Sequence, residues 1–457
     1  MKKLFSLNVY GLCLTVGLWC LTVIPVSLQA DDHVMAATHT YQPAGTTPAS
    51  LSLTLNEAQD YAVAGNRSLR NASLAVQEAY AQRWQTIAAM LPSVDGGFSY
   101  TNYLGYSAEM ATGMGSFKIN MPNVSAFSVT AAVGINGQGI VGALLQNIAI
   151  DMKKIALEQS ENELRANVRT SYMTLLALQD IAQLLDSSLN NIETLATMTR
   201  QSVEAGVAEQ TTADQIMVRV NTLRNNINAN RRNIELATNS LRVLLAVPAE
   251  TQLTLTQTLD ELLSAETVLN QLAEPYNINN NLNYQLLTKN TDLARRNVHM
   301  AGWAYGPTVS LAYNYSNQHY YGEGGMRMTP PNVIQVNVSM PLWSSGKRAA
   351  GIVEKKIAYE EAKNTLEETT DNLGIQYQQL RFNLQNAYET YLNEKDNIYV
   401  TKRVFASTTD KFRWGAASNL ELTNSSNDLI SAESTYVQAV LSLVNAQVEL
   451  DKFLNNK

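Results

Sequence analysis

The sequence predicts an α+β membrane protein. Long coiled-coil helices carry most of the chain, and four β-strands per chain contribute to a twelve-stranded trimeric transmembrane β-barrel. An internal two-fold repeat relates the halves. Three observations carry this expectation: glycine pairs recur at a fixed offset, heptads run through long proline-free stretches, and strand-length segments alternate apolar with small polar residues.

The repeat comes first. Gly137 and Gly206 stand 69 residues apart, as do Gly346 and Gly415, and a single offset of 209 superimposes both pairs. The same offset sets Ile148-Ala149 on Ile357-Ala358, Leu157-Glu158 on Leu366-Glu367, Leu164 on Leu373 and Leu175 on Leu384. Self-similarity at one fixed offset is the mark of internal duplication. Each half is expected to run helix, two strands, long helix, shorter helix. The expected boundaries are a signal peptide over 1–30, an N-terminal segment over 31–50, a first repeat over 51–250, a linker over 251–274 and a second repeat over 275–457.

Between Gly139 and Gly206 there is no proline, and Gly142 is the one intervening glycine. Val168, Leu175, Ala182, Leu189, Ala196 and Val203 recur every seventh residue, with Leu164, Leu178, Leu185 and Ile192 beside them. The second half answers with Leu384, Tyr391, Ile398, Phe405 and Phe412. Sustained heptads pack helices lengthwise rather than into a globule. About 65 residues at a ~1.5 Å rise make a rod of roughly 100 Å.

The strands separate this chain from an ordinary structural coiled coil. Val309, Leu311, Tyr313 and Tyr315 alternate with Ser310, Ala312, Asn314 and Ser316. Ile334, Val336, Val338 and Met340 alternate with Val333, Gln335, Asn337 and Ser339. In the first half Phe98 and Tyr100 lie among Gly97, Ser99 and Thr101, and Phe127, Val129, Ala131 and Val133 among Ser128, Thr130 and Ala132. Such strands suit a barrel wall between lipid and water. The expected lipid-facing set is therefore Phe127, Val129, Val309, Leu311, Tyr313, Ile334, Val336 and Val338, with Tyr103, Tyr106, Tyr320 and Tyr321 as an interfacial girdle. Four strands cannot close alone, and open edges in lipid cost several kcal/mol per unpaired group. A closed homotrimer with twelve strands solves both problems.

Composition excludes several functions. With 33 basic against 40 acidic residues the net charge is −7, so no basic surplus exists to neutralise nucleic acid. Four histidines and two cysteines leave little for a transition-metal site. Lys2 and Lys3 precede an apolar run from Leu4 to Leu28, the pattern of a secretory signal. Cleavage after Ala30 or Ala36 would remove Cys13 and Cys20. Trp19 before Cys20 disfavours a lipoprotein. An uncleaved membrane anchor is the alternative reading of the same run.

Five motifs resemble the TolC family of outer-membrane efflux proteins. They are Leu53-Thr54-Leu55-Asn56-Glu57-Ala58 with Gly65-Asn66-Arg67-Ser68-Leu69, then Leu91-Pro92, Gly306-Pro307, Met340-Pro341-Leu342-Trp343-Ser344-Ser345-Gly346-Lys347, and Phe412-Arg413-Trp414-Gly415 to Leu420-Glu421-Leu422. In order they cover about residues 51 to 457. Thr54 and Glu57 also have capping-box spacing. The resemblance implies a trimer in the cell outer membrane whose helices form a tunnel in the periplasm. Its implied partners are a periplasmic adaptor (membrane fusion) protein and an inner-membrane transporter, besides outer-membrane lipid. The implied role is the passive exit duct of a tripartite efflux pump or type I secretion system, for small molecules or proteins. A non-conducting periplasmic or surface coiled-coil adaptor is the alternative.

Such a duct needs no nucleophile or cofactor, and the chain holds no G-x-x-x-x-G-K-[ST], G-x-S-x-G or H-E-x-x-H. No enzyme activity, cofactor or metal is expected. The turns at Gly206 and Gly415 are the implied periplasmic tip. In relatives, acidic residues six and nine positions after the second glycine form constricting rings. Here those positions hold Glu421 and Asn424. A locking tyrosine and arginine are replaced by Phe412 and Ala417. A ring of Glu421 would attract cations; the plainer reading is a solvated helix face.

Overall fold

The computed structural model describes residues 50–112, 115–321 and 330–455. The expected signal peptide and most of the N-terminal segment lie outside the described residues. The chain divides into two compact units whose boundaries fall inside helices. One takes in the described residues of Met1–Leu74, Ala156–Leu282 and Thr370–Lys457, the other Ala75–Ile155 and Asn283–Thr369.

Helices flank the sheet strands in both halves, and the first half carries an additional hairpin. Strand β1 (Ser50–Leu53) leads into helices α1 (Leu55–Gly65) and α2 (Arg67–Ala88), strands β2 (Ser93–Thr101), β3 (Ser107–Thr112), β4 (Gly115–Asn120) and β5 (Asn123–Asn136), then helices α3 (Gly137–Glu204) and α4 (Gln210–Leu245). The second half has β6 (Gln252–Leu255), α5 (Leu259–Leu262), α6 (Ala265–Ala273), α7 (Leu282–Gly302), β7 (Thr308–Tyr321), β8 (Asn332–Ser339), α8 (Lys347–Arg413) and α9 (Asn419–Leu454). The long helices number 68 and 67 residues and their partners 36 each. Thr54 caps α1 and Glu57 closes the box, as their spacing required.

In the first unit the long helices bury an apolar seam. Leu384, Tyr391, Ile398 and Phe405 on α8 are all buried, so that heptad column lies in the core. On α3 the seam moves. Val168 and Leu175 are buried, but further along the burial passes to Leu185, Ser188, Ile192, Leu195 and Thr199. A straight helix drifts by ~20° per heptad against a strict seven-residue repeat, enough over several heptads to exchange one column for its neighbour. Around these helices β1 pairs in parallel with β6, Ser50 opposite Gln252. The Tyr172 hydroxyl, wholly buried, donates to the Leu53 carbonyl at 2.9 Å and ties α3 to β1.

This part corrects the expected domain plan. The stretch 251–274 is no bare linker: it holds β6, α5 and the whole of α6, and Ser264 caps α6. Ser50, assigned to the N-terminal segment, is the first residue of β1.

In the second unit β2, β5, β7 and β8 form one antiparallel sheet in the order β2-β5-β7-β8. The rung Asn136–Thr308–Ser339 lies at the end where β5 and β8 run on into α3 and α8. At the other end β3 and β4 form a separate hairpin, which sequence reading missed.

Candidate functional site at the helix turns and on the sheet

Both turns between the long helices and their partners are built alike. Gly206 and Gly415 take left-handed backbone, φ 72° and 71°, where a side chain costs ~1–2 kcal/mol. The Gly415 amide donates to the Phe412 carbonyl at 3.0 Å and the Ala416 amide to that of Lys411 at 2.8 Å. Gly206 and Val207 repeat this against Val203 and Ser202. These are paired bonds of the Schellman motif, satisfying carbonyls that a helix end leaves open.

Phe412 is half-buried and packs on a cluster formed by Leu185, Ile192 and Leu195 of α3, Ile216 and Leu223 of α4, Phe405 of α8 and Leu422 of α9. Glu421 and Asn424 are exposed. Glu421 has a role that neither of its expected readings included. Its carboxylate accepts from the Ser418 amide at 2.7 Å, while its own amide donates to Ser418 Oγ at 3.2 Å, closing a capping box on α9. Those bonds hold its pKa below the ordinary carboxylate range, so the group stays ionised. A tie absent from the expected set is Arg219. Its Nη1 donates to the Thr423 carbonyl at 3.0 Å and to Asn427 Oδ1 at 3.1 Å, joining α4 to α9. No heptad or motif announces it, because both partners lie on another helix more than 200 residues away.

A second hidden feature is one heptad column of α9. Ser426, Glu433, Val440, Gln447 and Leu454 succeed each other at sevens and all are buried. Glu433 accepts from Ser188 Oγ of α3 at 2.7 Å, while its Oε2 and both amide atoms of Gln447 meet no partner among the described residues. Burial raises the Glu433 pKa, opposed by the Ser188 bond and the Lys402 charge. A raised carboxyl pKa gives stability that is complete below the unfolded value and lost as pH climbs through the folded one. Thermal unfolding followed from about pH 5 to about pH 8 should therefore fall less steeply for Glu433→Gln than for the parent. Asp451, also raised, keeps part of the slope. Equal slopes would show that Glu433 stays charged in place.

On the sheet the register assembles the apolar residues of separate strands on one face. Successive rungs are Ile135–Val309–Val338, Val133–Leu311–Val336, Val94–Ala131–Tyr313–Ile334, Gly96–Val129–Tyr315–Asn332 and Phe98–Phe127–Asn317, so asparagines enter the face only at its far end. The opposite face carries Asp95, Thr130, Asn314, Gln335 and Asn337. The apolar face is open: Ile334 is 72% exposed, Val336 66% and Phe98 75%. From Ile135 to Phe127 the band measures about 27 Å along the strand at ~3.4 Å per residue. With a tilt near 40° that is ~21 Å of height, close to the ~25 Å apolar belt of a membrane barrel. Beyond Phe98 and Phe127 the same face turns aromatic and polar. Tyr321 meets Tyr100 and His319 edge-on, with centroids 6.0 and 4.8 Å away. Tyr320 departs from the expected girdle: it falls on the polar face and donates to Gln318 Oε1 at 2.6 Å. Among the described residues no helix is long and apolar enough to cross a membrane.

Comparison with known proteins gives a consistent result. The family model described as outer membrane efflux protein matches residues 59–247 and 277–456. The probable efflux pump outer membrane protein TtgC of Pseudomonas putida is 24% identical over 321 residues, 65% of this chain and 62% of that protein. The toxin and drug export protein A of Aggregatibacter actinomycetemcomitans is 23% identical over 294 residues, 62% of this chain and 63% of that one. The chain thus spans less than two thirds of the length of these relatives. Among solved structures CusC, described as forming a transmembrane channel, superposes with a TM-score of 0.71 at 17% identity. That superposition covers 91% of this chain and 95% of CusC, and it establishes the fold.

Proposed function

This chain belongs to the outer membrane efflux protein family, a family of transport channels rather than enzymes, sited in the cell outer membrane; from that premise we propose that it is the passive exit duct of a tripartite efflux pump or type I secretion system. The observation that carries the reading is the open apolar face of the β2-β5-β7-β8 sheet. A soluble protein would cover so large a patch. In lipid it is at rest, with Phe127, Val129, Val309, Leu311, Tyr313, Ile334, Val336 and Val338 toward the acyl chains and the Asp95–Asn314–Asn337 face toward a water-filled lumen.

The sheet ends in two edges, β2 and β8, with no strand beyond either among the described residues. Their amides and carbonyls need partners before the sheet can enter lipid. Three copies supply them as a homotrimer of twelve strands, and the paired long helices extend it as a periplasmic tunnel. The doubled order of elements fits a gene-level duplication of one helix–hairpin–helix–helix unit. The turn end around Gly206, Phe412, Gly415, Glu421 and Asn424 is the periplasmic gate, and a periplasmic adaptor coupled to an inner-membrane transporter docks there. Small molecules and proteins both fit as cargo, since the matched relatives are named for efflux and for toxin and drug export.

Closure in this reading rests on packing of Phe405 and Phe412, on the Arg219 tie, and on the ionised Glu421. In planar bilayers Glu421→Gln should weaken block of the current by divalent cations added on the periplasmic side. Phe412→Ala should separately raise resting conductance by opening a gap in the packed cluster. Unchanged divalent block in Glu421→Gln would reduce Glu421 to its capping role.

A further inference from the structure

We infer that Met340, Leu342 and Trp343 form an interfacial prow that enters the phospholipid leaflet facing the periplasm. The inference rests on the reading of the apolar sheet face as lipid-facing and adds a membrane contact outside the barrel strands.

The sequence first extends the lipid stripe. Ile334, Val336 and Val338 alternate along β8, and the same alternation continues past its last residue with Met340 and Leu342. Leu342 is 89% and Trp343 84% exposed, among the most open large apolar side chains in the described residues. Two adjacent side chains of that size left in water forgo the burial that apolar surface favours, with no structural return.

The segment is held, not loose. The Arg348 guanidinium donates to the Pro341 carbonyl at 2.8 Å and to that of Trp343 at 3.4 Å, and lies 5.1 Å from the centroid of the Tyr305 ring. Ser345 and Gly346 both take left-handed backbone, φ 47° and 81°, turning the chain into α8. The Lys347 amide then donates to the Ser344 carbonyl at 2.9 Å. A basic side chain thus braces an apolar tip from behind, with exposed Lys347 beside it.

The position selects the leaflet. The prow lies at the end of the sheet where α2 precedes β2, α3 follows β5 and α8 follows β8, so in a duct it faces the periplasm. Tryptophan with flanking cations prefers the headgroup region of such a boundary, the indole in the acyl margin and the charge at the phosphates.

The test uses the full trimer. The chain's two cysteines, Cys13 and Cys20, lie in the expected signal peptide, so Trp343→Cys offers one site for a nitroxide label. Val336→Cys and Glu360→Cys serve as lipid and water references. In phosphatidylethanolamine–phosphatidylglycerol vesicles, collision with oxygen should exceed collision with a water-soluble nickel chelate by about twofold or more at 343, but by less than at 336. A water-like label at 343 beside a lipid-like label at 336 overturns the prow. So does a label at 343 shielded from both reagents, because another part of the assembly then covers it. A water-like label at 336 instead sinks the lipid-facing reading beneath it.

Discussion

Arginine in place of Val336 is expected to lower insertion of the barrel by about 2–4 kcal/mol if the residue sits near the bilayer midplane. Val336 lies in the second of the five rungs of the apolar band, counted from the end that leads into the long helices, opposite Leu311, which in turn pairs with Val133. A guanidinium there has no polar neighbour within its own rung and, in the proposed barrel, faces hydrocarbon. One residue on, Asn337 pairs with Ser310 on the opposite face. Asn337→Arg should insert normally and change conductance instead, because its charge enters the lumen. The readout is the fraction of protein that floats with outer-membrane vesicles and resists carbonate extraction. Equal loss for the two variants would mean that the sheet faces are wrongly assigned.

Removing the carboxylate of Asp451 should cost the first unit about 3 kcal/mol, by the usual penalty for breaking a buried ion pair. Asp451 near the end of α9 accepts from Arg169 Nη1 of α3 and from the Gln271 amide of α6, so one side chain joins three elements. Its burial raises its pKa, with the Arg169 charge and the Gln271 bond pulling the other way. In Asp451→Ala the guanidinium keeps only about a fifth of its side chain in water, at 21% exposure. The figure sits at the lower end of the range because that fifth is still solvated. The paired replacement Arg169→Met with Asp451→Leu should recover most of the loss, since it leaves no charge stranded. Urea unfolding followed by circular dichroism measures all three. A loss within about 0.5 kcal/mol for Asp451→Ala would show that the node adds nothing to stability.

How far the sequence could be read follows from which forces leave a periodic trace. The α8 column from Leu384 to Phe405 was visible because apolar burial repeats with the helix. On α3 the same reasoning held at Val168 and Leu175, then lost the seam as it crossed to Leu185 and Ile192. Sheet strands were visible because β5 and β7 alternate strictly. Strands β1 and β6 were not, since four residues of Ser, Leu, Gln and Thr give too short a pattern. The candidate gate was harder still. The family resemblance around Gly415 marked Glu421, but a carboxylate three residues after Ser418 serves as a helix cap whether or not it lines a pore. Arg219 and Asp451 had no spacing to betray them, and the heptad column of Glu433 was hidden because three of its five members are polar. Each has a partner on another element more than 200 residues away, and only the packing brings them together.

The central claim is a closed barrel built from three chains, forced by the β2 and β8 edges. Its most direct test is the protein mass of the complex in mild detergent, by light scattering with the detergent contribution removed, on a sample whose circular dichroism retains the β-signal. The account predicts three times the mass of the mature chain. A single-chain mass with that signal intact would contradict it, because the two sheet edges would then be stable without neighbours.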